Sequence, residues 1–132
     1  FTYLLYMPDE KDLKILVVDD YSATRTLIIN ILSKLGYSNV VEVEEGVSAL
    51  ASLKSALFDL VVTDCSMSDM SGLDLLKLIR ADSDLKHIPV LMVTSEDLQG
   101  NIITAIKAGL SDYIVRPFGE YTFKLKLEKI LV

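Results

Sequence analysis

Several residues that would point to a particular class of protein are rare in this sequence. Its 132 residues include one cysteine, one histidine, three prolines, six glycines and no tryptophan. The single cysteine, Cys65, excludes an internal disulfide and favours a reducing compartment, where we expect it to be a small buried hydrophobe. The single histidine, His87, lies in a polar segment and is expected to be solvated.

Long apolar stretches and an excess of positive charge are missing as well. No run approaches the ~18 apolar residues of a membrane helix, and the N-terminus lacks the cationic start and apolar stretch of a signal peptide. The chain has 13 Lys and Arg against 19 Asp and Glu, a net charge of −6. We therefore expect no charge-driven binding to nucleic acid or to an anionic membrane, and we expect a cytoplasmic monomer.

Strand-like and helix-like segments alternate from Lys14 onward. The composition, 51% hydrophobic and 24% charged residues, is that of one globular domain with a substantial core. Five short apolar runs are predicted strands: Ile15 to Val18, Val40 to Val43, Leu60 to Thr63, Val90 to Thr94 and Tyr113 to Val115. This order predicts an α/β fold, with a parallel sheet between two helical layers and right-handed crossovers.

The predicted helices begin and end at recognisable residues. We expect Ser22 to cap the first helix and Gly36 to end it, and we expect the fourth helix to run from about Gln99 to Gly109. The residues predicted to face the core are Leu27, Ile28, Ile31, Leu32 and Leu35, then Val47, Leu50, Leu53 and Leu57, then Leu75, Leu76 and Ile79, then Ile103, Ile106 and Leu110, and last Phe123, Leu127, Ile130 and Leu131.

We assign residues 13–132 to the domain and residues 1–12 to an N-terminal extension. A chain that opens with Phe1 can carry added residues or be cut from a longer protein. Both alternatives stay open.

The carboxyl ends of the strands carry the residues that can do chemistry. Leu60 to Thr63 leads into Asp64, and parallel strands end at one edge of their sheet, where open α/β folds place their sites. That edge is predicted to hold Asp19, Asp20, Asp64, Thr94 and Arg116. Three carboxylates brought together repel unless a cation joins them, and few oxygen ligands with room for water suit Mg²⁺. A carboxylate beside Mg²⁺ can be a nucleophile toward phosphorus, while a hydroxyl and a cation bind the transferred group.

These residues carry a resemblance to response-regulator receiver domains, and most closely to the single-domain regulators of chemotaxis. The resemblance covers the chain from about Lys14 and implies a doubly wound (βα)5 sheet in the order 2-1-3-4-5, a flavodoxin-like, CheY-like fold. The matching stretches are Val17-Val18-Asp19-Asp20, Val62-Thr63-Asp64, Met70-Ser71-Gly72-Leu73, Val93-Thr94 and Arg116-Pro117-Phe118. Those typical of chemotaxis are Leu35-Gly36-Tyr37-Ser38-Asn39-Val40 and Leu91-Met92-Val93-Thr94-Ser95-Glu96.

The resemblance implies a role for each of these residues. Asp64 would accept the phosphoryl group, while Asp19, Asp20, Asp64 and the backbone carbonyl of Ser66 would bind Mg²⁺. Thr94 would bond the phosphoryl group, and Tyr113 would swing inward on phosphorylation. The implied partners are a sensor histidine kinase, and a flagellar motor switch protein and a phosphatase that contact the surface from Gln99 to Leu131. Such a protein is no enzyme beyond its own dephosphorylation.

Two departures from the receiver pattern keep alternatives open. Arg116 stands where receivers have lysine, and a planar guanidinium is not equivalent to a compact ammonium, although it can grip a phosphate bidentately. Ser68 stands where receivers usually have proline, which should loosen the loop slightly. The alternatives are a degenerate receiver that binds partners without phosphorylation, and a receiver cut from a larger regulator or hybrid kinase.

Enzyme classes fit the sequence less well. A phosphohydrolase of the haloacid dehalogenase type would need an aspartate where this chain has Ser66. A P-loop enzyme would need a Gly-x-x-x-x-Gly-Lys run, which the sequence lacks. In a flavodoxin-like flavin binder, Asp19 and Asp20 would repel the flavin phosphate.

Overall fold

A computed structural model describes residues 12–95 and 99–131, with the backbone alone for residues 99–101. Five strands alternate with five helices in this part of the chain. They are β1 (Ile15–Val18), α1 (Ser22–Lys34), β2 (Val40–Val43), α2 (Gly46–Ser55), β3 (Leu60–Asp64), α3 (Gly72–Ala81), β4 (Val90–Thr94), α4 (Gln99–Lys107), β5 (Asp112–Val115) and α5 (Glu120–Leu131). The five predicted strands are confirmed, with β3 and β5 each one residue longer than expected.

The strands form one parallel sheet in the order β2-β1-β3-β4-β5, which confirms the predicted fold class. Its register fixes where the strands end. Val18 lies beside Thr63, Asp64 beside Val93, and Thr94 beside Val115. The residues at the carboxyl ends therefore meet at one edge of the sheet.

The core lies in two layers because β1, β3 and β4 are buried on both faces. One layer packs under α2, α3 and α4 and includes Leu16, Ala49, Leu53, Val61, Leu75, Leu76, Ile79, Val90 and Ala105. The other packs under α1 and α5 and includes Ile15, Val17, Ile28, Leu32, Val62, Leu91, Val93, Phe123 and Leu127. Alternate residues of β1 face opposite layers, as the two-residue period of a strand requires.

Three of the predicted helix faces need correction. Leu27 on α1 and Val47 on α2 are exposed, and Leu57, which is 92% exposed, lies beyond the end of α2. On α4 the residues facing the core are Ile102 and Ala105, whereas the expected Ile103 and Ile106 point outward. Two fully buried alanines, Ala49 of α2 and Ala105 of α4, lie in the core layer under α2, α3 and α4, between helix and sheet.

The helix ends are close to those expected. Ser22 is the first residue of α1 and not its cap, since Tyr21 is the N-cap and makes no side-chain capping bond. Gly36, with φ of +97°, ends this helix as predicted, in a conformation that favours glycine. The fourth helix ends at Lys107, and Gly109, with φ of +102°, closes the turn that follows.

Nearly all of the predicted extension, residues 1–12, lies outside the described residues, as does Glu96 of the chemotaxis-like stretch. Within residues 12–95 and 99–131, no helix has both the length and the apolar character needed to cross a membrane.

Candidate functional site

An acidic cluster lies at the carboxyl edge of the sheet, where β1 and β3 end. Asp19, Asp20 and Asp64 each place a carboxylate oxygen within 4.8 Å of the others. Asp19 and Asp64 are buried, with 1% and 7% of their surface exposed, while Asp20 is exposed. The structure therefore brings together the three carboxylates that the sequence predicted, and the cluster is open to solvent at Asp20.

Asp19 has one satisfied oxygen and one unsatisfied oxygen. Its Oδ1 accepts a hydrogen bond from the Tyr21 N–H at 2.8 Å, whereas its buried Oδ2 has no hydrogen-bond partner among the described residues. Burial raises the pKa of Asp19 to about 6, and the nearby charge of Asp64 acts in the same direction. A buried carboxylate oxygen without a partner is costly, and a hard cation would satisfy it.

Asp64 is held from two sides. Its Oδ1 accepts a hydrogen bond from the Cys65 N–H at 2.8 Å and lies 3.2 Å from Arg116 Nη2. Burial raises the pKa of this carboxyl group, and the charge of Arg116 opposes that shift. Since the net direction is upward, the guanidinium compensates only part of the desolvation of Asp64.

Arg116 lies in the cluster, as predicted, because β4 and β5 pair up to their ends. The backbone N–H of Arg116 donates a hydrogen bond to the Thr94 carbonyl at 2.7 Å. Its side chain, 36% exposed, reaches from the pocket rim to Asp64. Arg116 and Asp64 thus form an ion pair at the edge of the acidic cluster.

Thr94 and Cys65 lie side by side behind the acidic cluster. Thr94 is buried, and its hydroxyl is 3.3 Å from the Ser95 carbonyl. Burial raises the pKa of the Cys65 thiol, although a hydrogen bond with the Thr94 side chain opposes the shift. Cys65 is partly buried and packs against the core. Cys65 therefore packs as a small hydrophobic residue, as predicted, although it is only partly buried.

Tyr113 lies on β5, which β4 separates from β3 and its part of the acidic cluster. It is partly buried, and Lys126 Nζ lies 5.1 Å from the centre of its ring. Together with Thr94 and Ser95, it lines a groove of about 580 Å³. The rest of this α4–β5 groove is formed by Ile102, Ile103, Ile106 and Val115. Thr94 and Tyr113 therefore line the same groove.

Sequence reasoning missed Arg25, which fixes the backbone beside the cluster. This buried side chain donates from Nη1 to the Asp19 carbonyl at 2.7 Å and from Nε to Glu42 at 2.9 Å. A second carboxylate, that of Glu44, lies 3.5 Å from Nη2. Its partners follow from the pairing of β1 with β2, so no local pattern in the sequence marks it.

The loop after β3 returns close to the Asp64 backbone. Its base is closed by an antiparallel bridge between Ser66 and Ser71 and by a hydrogen bond of 2.8 Å from the Gly72 N–H to the Cys65 carbonyl. A Cβ at Gly72 would overlap the Asp64 carbonyl oxygen. Glycine is therefore required where α3 begins, directly behind the acidic cluster.

The fold and this site define a class of protein. The response regulator receiver domain family matches residues 15–128, and the chain belongs to that family. Chemotaxis protein CheY-3 of Vibrio cholerae is 52% identical over 120 residues, covering 91% of this chain and 92% of its own. The chain is thus a receiver of the CheY type, similar to regulators of chemotaxis.

Solved structures agree with this assignment. The chemotaxis response regulator CheY4 of Vibrio cholerae has a TM-score of 0.82 at 29% identity, covering 91% of this chain and 99% of its own. The receiver domain of a sensor histidine kinase from Pseudomonas aeruginosa has a TM-score of 0.80 at 28% identity, covering 90% and 98%. The latter was solved with a magnesium ion coordinated in its active site cleft.

Proposed function

We propose that the protein is a response regulator that accepts a phosphoryl group on Asp64 from the phosphohistidine of a sensor histidine kinase. The observation that carries this proposal is the acidic cluster, in which a buried carboxylate oxygen of Asp19 has no hydrogen-bond partner in the described part of the chain. As an acceptor in signalling, the protein would be no enzyme beyond its own dephosphorylation.

Mg²⁺ fits the residues of this cluster. Asp19, Asp20 and Asp64 would hold the cation together with the backbone carbonyl of Ser66, which is a hard, all-oxygen ligand set. The exposed side of the pocket, at Asp20, would leave room for water ligands. When bound, the cation would neutralise the cluster and the charge on the transferring phosphoryl group.

The chain's own residues supply the rest of the transfer. An oxygen of the Asp64 carboxylate forms the bond to phosphorus as the bond between phosphorus and the histidine nitrogen breaks, so that the imidazole leaves. Arg116, already 3.2 Å from Asp64, would shift its N–H groups to the phosphoryl oxygens. The hydroxyl of Thr94 would donate a hydrogen bond to an oxygen of the same phosphoryl group.

The proposed output surface runs from Gln99 to Leu131 and contains the α4–β5 groove. Two isoleucines that line this groove, Ile103 and Ile106, expose 58% and 53% of their surface. Adjoining exposed apolar side chains are a common feature of surfaces that bind other proteins. A shift of Thr94 toward a phosphoryl group would change the shape of the α4–β5 groove, which Thr94 and Tyr113 both line. The chemotaxis relatives make a flagellar motor switch protein and a phosphatase the partners to test, in a cytoplasmic, monomeric protein.

Intact-mass spectrometry tests the acceptor directly. The protein is incubated with acetyl phosphate in the presence of Mg²⁺ or EDTA, and the same is done with Asp64→Asn and with Asp59→Asn, a control at the opposite edge of the sheet. We expect one phosphoryl adduct on the native protein and on the control, dependent on Mg²⁺. An equal adduct on Asp64→Asn would refute the assignment.

The Asp64–Arg116 ion pair favours a second candidate, a receiver that docks without switching. In that case the guanidinium would remain on Asp64, and the α4–β5 groove would not respond to a phosphoryl group. Amide NMR spectra with and without Mg²⁺ and beryllofluoride, a phosphoryl mimic, separate the two functions. Shifts at Tyr113 and along α4 in the native protein favour switching; shifts in Arg116→Lys alone favour the docking module.

A further inference from the structure

The loop between β3 and α3 carries an acidic side chain that the proposed transfer does not use. Asp69 lies in the outer half of this loop, and both of its carboxylate oxygens bind another element. Oδ1 accepts a hydrogen bond from the Gly46 N–H and Oδ2 one from the Val47 N–H, each at 2.9 Å. These residues begin α2, so Asp69 satisfies two amides that the helix leaves unpaired, at the end where its dipole favours an anion.

The residue next to Asp69 closes the same junction by packing. Met70 occupies the space that a Cβ at position 46 would need, so the contact depends on Gly46. Met70 also packs against the core layer under α2 and α3. Two unlike contacts, a pair of hydrogen bonds and an apolar contact, therefore attach the outer half of the loop to the start of α2.

The inner half of the loop is attached to the acidic cluster. The Cys65 N–H donates a hydrogen bond of 2.8 Å to Asp64 Oδ1, and the Cys65 carbonyl accepts one of 2.8 Å from the Gly72 N–H. Ser66 also pairs with Ser71 across the loop. The loop that carries Ser66 is thus held at one end by Asp64 and at the other by Asp69 and Met70.

Position 68 shows why this attachment matters. Ser68 is exposed, and unlike a proline it does not fix the φ angle of its own backbone. A loop with this freedom needs another restraint if one of its carbonyls is to serve as a metal ligand. The contacts of Asp69 with α2 supply one.

We propose that Asp69 is a positioning residue: by binding the first two amides of α2, it holds the loop that carries Ser66 and so sets the affinity of the acidic cluster for Mg²⁺. The inference rests on the proposed function, because it takes the Ser66 carbonyl as a ligand. Outer residues that orient a ligand typically change metal affinity by 10–100-fold.

The test is calorimetric titration with Mg²⁺ of the native protein, Asp69→Ala, Asp69→Asn and a control, Asp59→Ala. The control removes an exposed carboxylate that also accepts a backbone hydrogen bond, from the Lys14 N–H at 2.8 Å, but at the amino edge of the sheet. We expect Asp69→Ala to weaken Mg²⁺ binding by roughly tenfold. Asp69→Asn, which keeps one of the two acceptor oxygens, should recover part of the affinity, and Asp59→Ala should leave it unchanged.

The two Asp69 variants separate positioning from charge. Both remove one negative charge near the cation, so equal losses in Asp69→Ala and Asp69→Asn would overturn the inference, as would native affinity in Asp69→Ala. A variant without charge change, Gly46→Ala, displaces Met70 from the same junction and should also weaken binding. A folded native protein that binds no Mg²⁺ would overturn the proposed function and this inference with it.

Urea unfolding separates positioning from stability. Measured in EDTA, it shows what Asp69→Ala does to the metal-free fold. The inference requires that the variant also lose part of the additional stability that Mg²⁺ gives the native protein. An equal loss of stability with and without Mg²⁺ would mean that Asp69 is only a helix cap, and would overturn the inference.

Discussion

Replacing Asp19 with asparagine should stabilise the metal-free protein at neutral pH and abolish its response to Mg²⁺. The substitution keeps the shape of the side chain and the oxygen that accepts the Tyr21 N–H at 2.8 Å. It removes a buried negative charge whose second oxygen has no hydrogen-bond partner within the described residues. The native carboxylate is therefore unfavourable in the fold until a cation or a proton neutralises it.

The magnitude follows from the pKa of Asp19, which burial raises from 3.8 to about 6. Between these values the folded protein binds a proton that the unfolded chain does not, so the free energy of unfolding falls as pH rises through this range. Each pKa unit corresponds to 1.36 kcal/mol, so the free energy of unfolding should be about 3 kcal/mol lower at pH 7 than below pH 3.8 on account of Asp19. At 100 times its Kd, Mg²⁺ would return about 2.7 kcal/mol.

The assay is urea unfolding followed by far-UV circular dichroism between pH 4 and 7, in EDTA and in Mg²⁺, since the sequence has no tryptophan. Other carboxylates titrate as well, so the decisive quantity is the difference between the native protein and Asp19→Asn. In EDTA the variant should gain up to about 3 kcal/mol over the native protein by pH 7. Parallel pH curves for the two proteins would refute the reasoning.

Two further substitutions test the fold that places the site, each against a matched control in urea unfolding. Gly72→Ala puts a Cβ against the Asp64 carbonyl oxygen and should cost about 1–3 kcal/mol. Gly119→Ala, with open space around its Cβ, should stay within about 0.5 kcal/mol of native, and equal effects would contradict the steric argument. Leu76→Ala, in the core, should cost about 2–5 kcal/mol. Leu57→Ala, at a side chain 92% exposed, should cost almost nothing, and a comparable loss there would contradict the assigned core.

The strands and the acidic cluster could be predicted because both follow from short patterns. A run such as Leu60 to Asp64 is typical of a strand buried on both faces of a parallel sheet, and such a sheet aligns the strand ends. That alignment places Asp19 and Asp64 at the same edge, and the pairing of β1 with β3 then brings them together. The order of the strands came from the resemblance to receivers.

The helix faces could not be predicted as well, because hydrophobicity alone does not say which apolar residues the sheet covers. On α4, Ile103 and Ile106 are as apolar as any core residue, yet Ile102 and the small Ala105 are the residues that face the core. The small side chain lets the backbone approach the sheet. Ile103 and Ile106 remain outside, beside Tyr113.

Contacts made by side chains across long stretches of sequence were also beyond prediction. Arg25 binds the carboxylates of Glu42 on β2 and of Glu44 just after it, 17 and 19 positions away. Asp69 binds amides 22 and 23 positions away. Each partner is adjacent only in the folded protein. Such contacts do not choose the fold, but they hold the backbone at both sides of the acidic cluster.

A crystal structure with Mg²⁺ and beryllofluoride tests the central claim most directly, because it locates the cation and the phosphoryl mimic together. We expect the cation on Asp19, Asp20, Asp64 and the Ser66 carbonyl, with the mimic bonded to Asp64 and contacted by Thr94 and Arg116. A cation bound elsewhere, or an Arg116 that stays on Asp64 and excludes the mimic, would contradict the account.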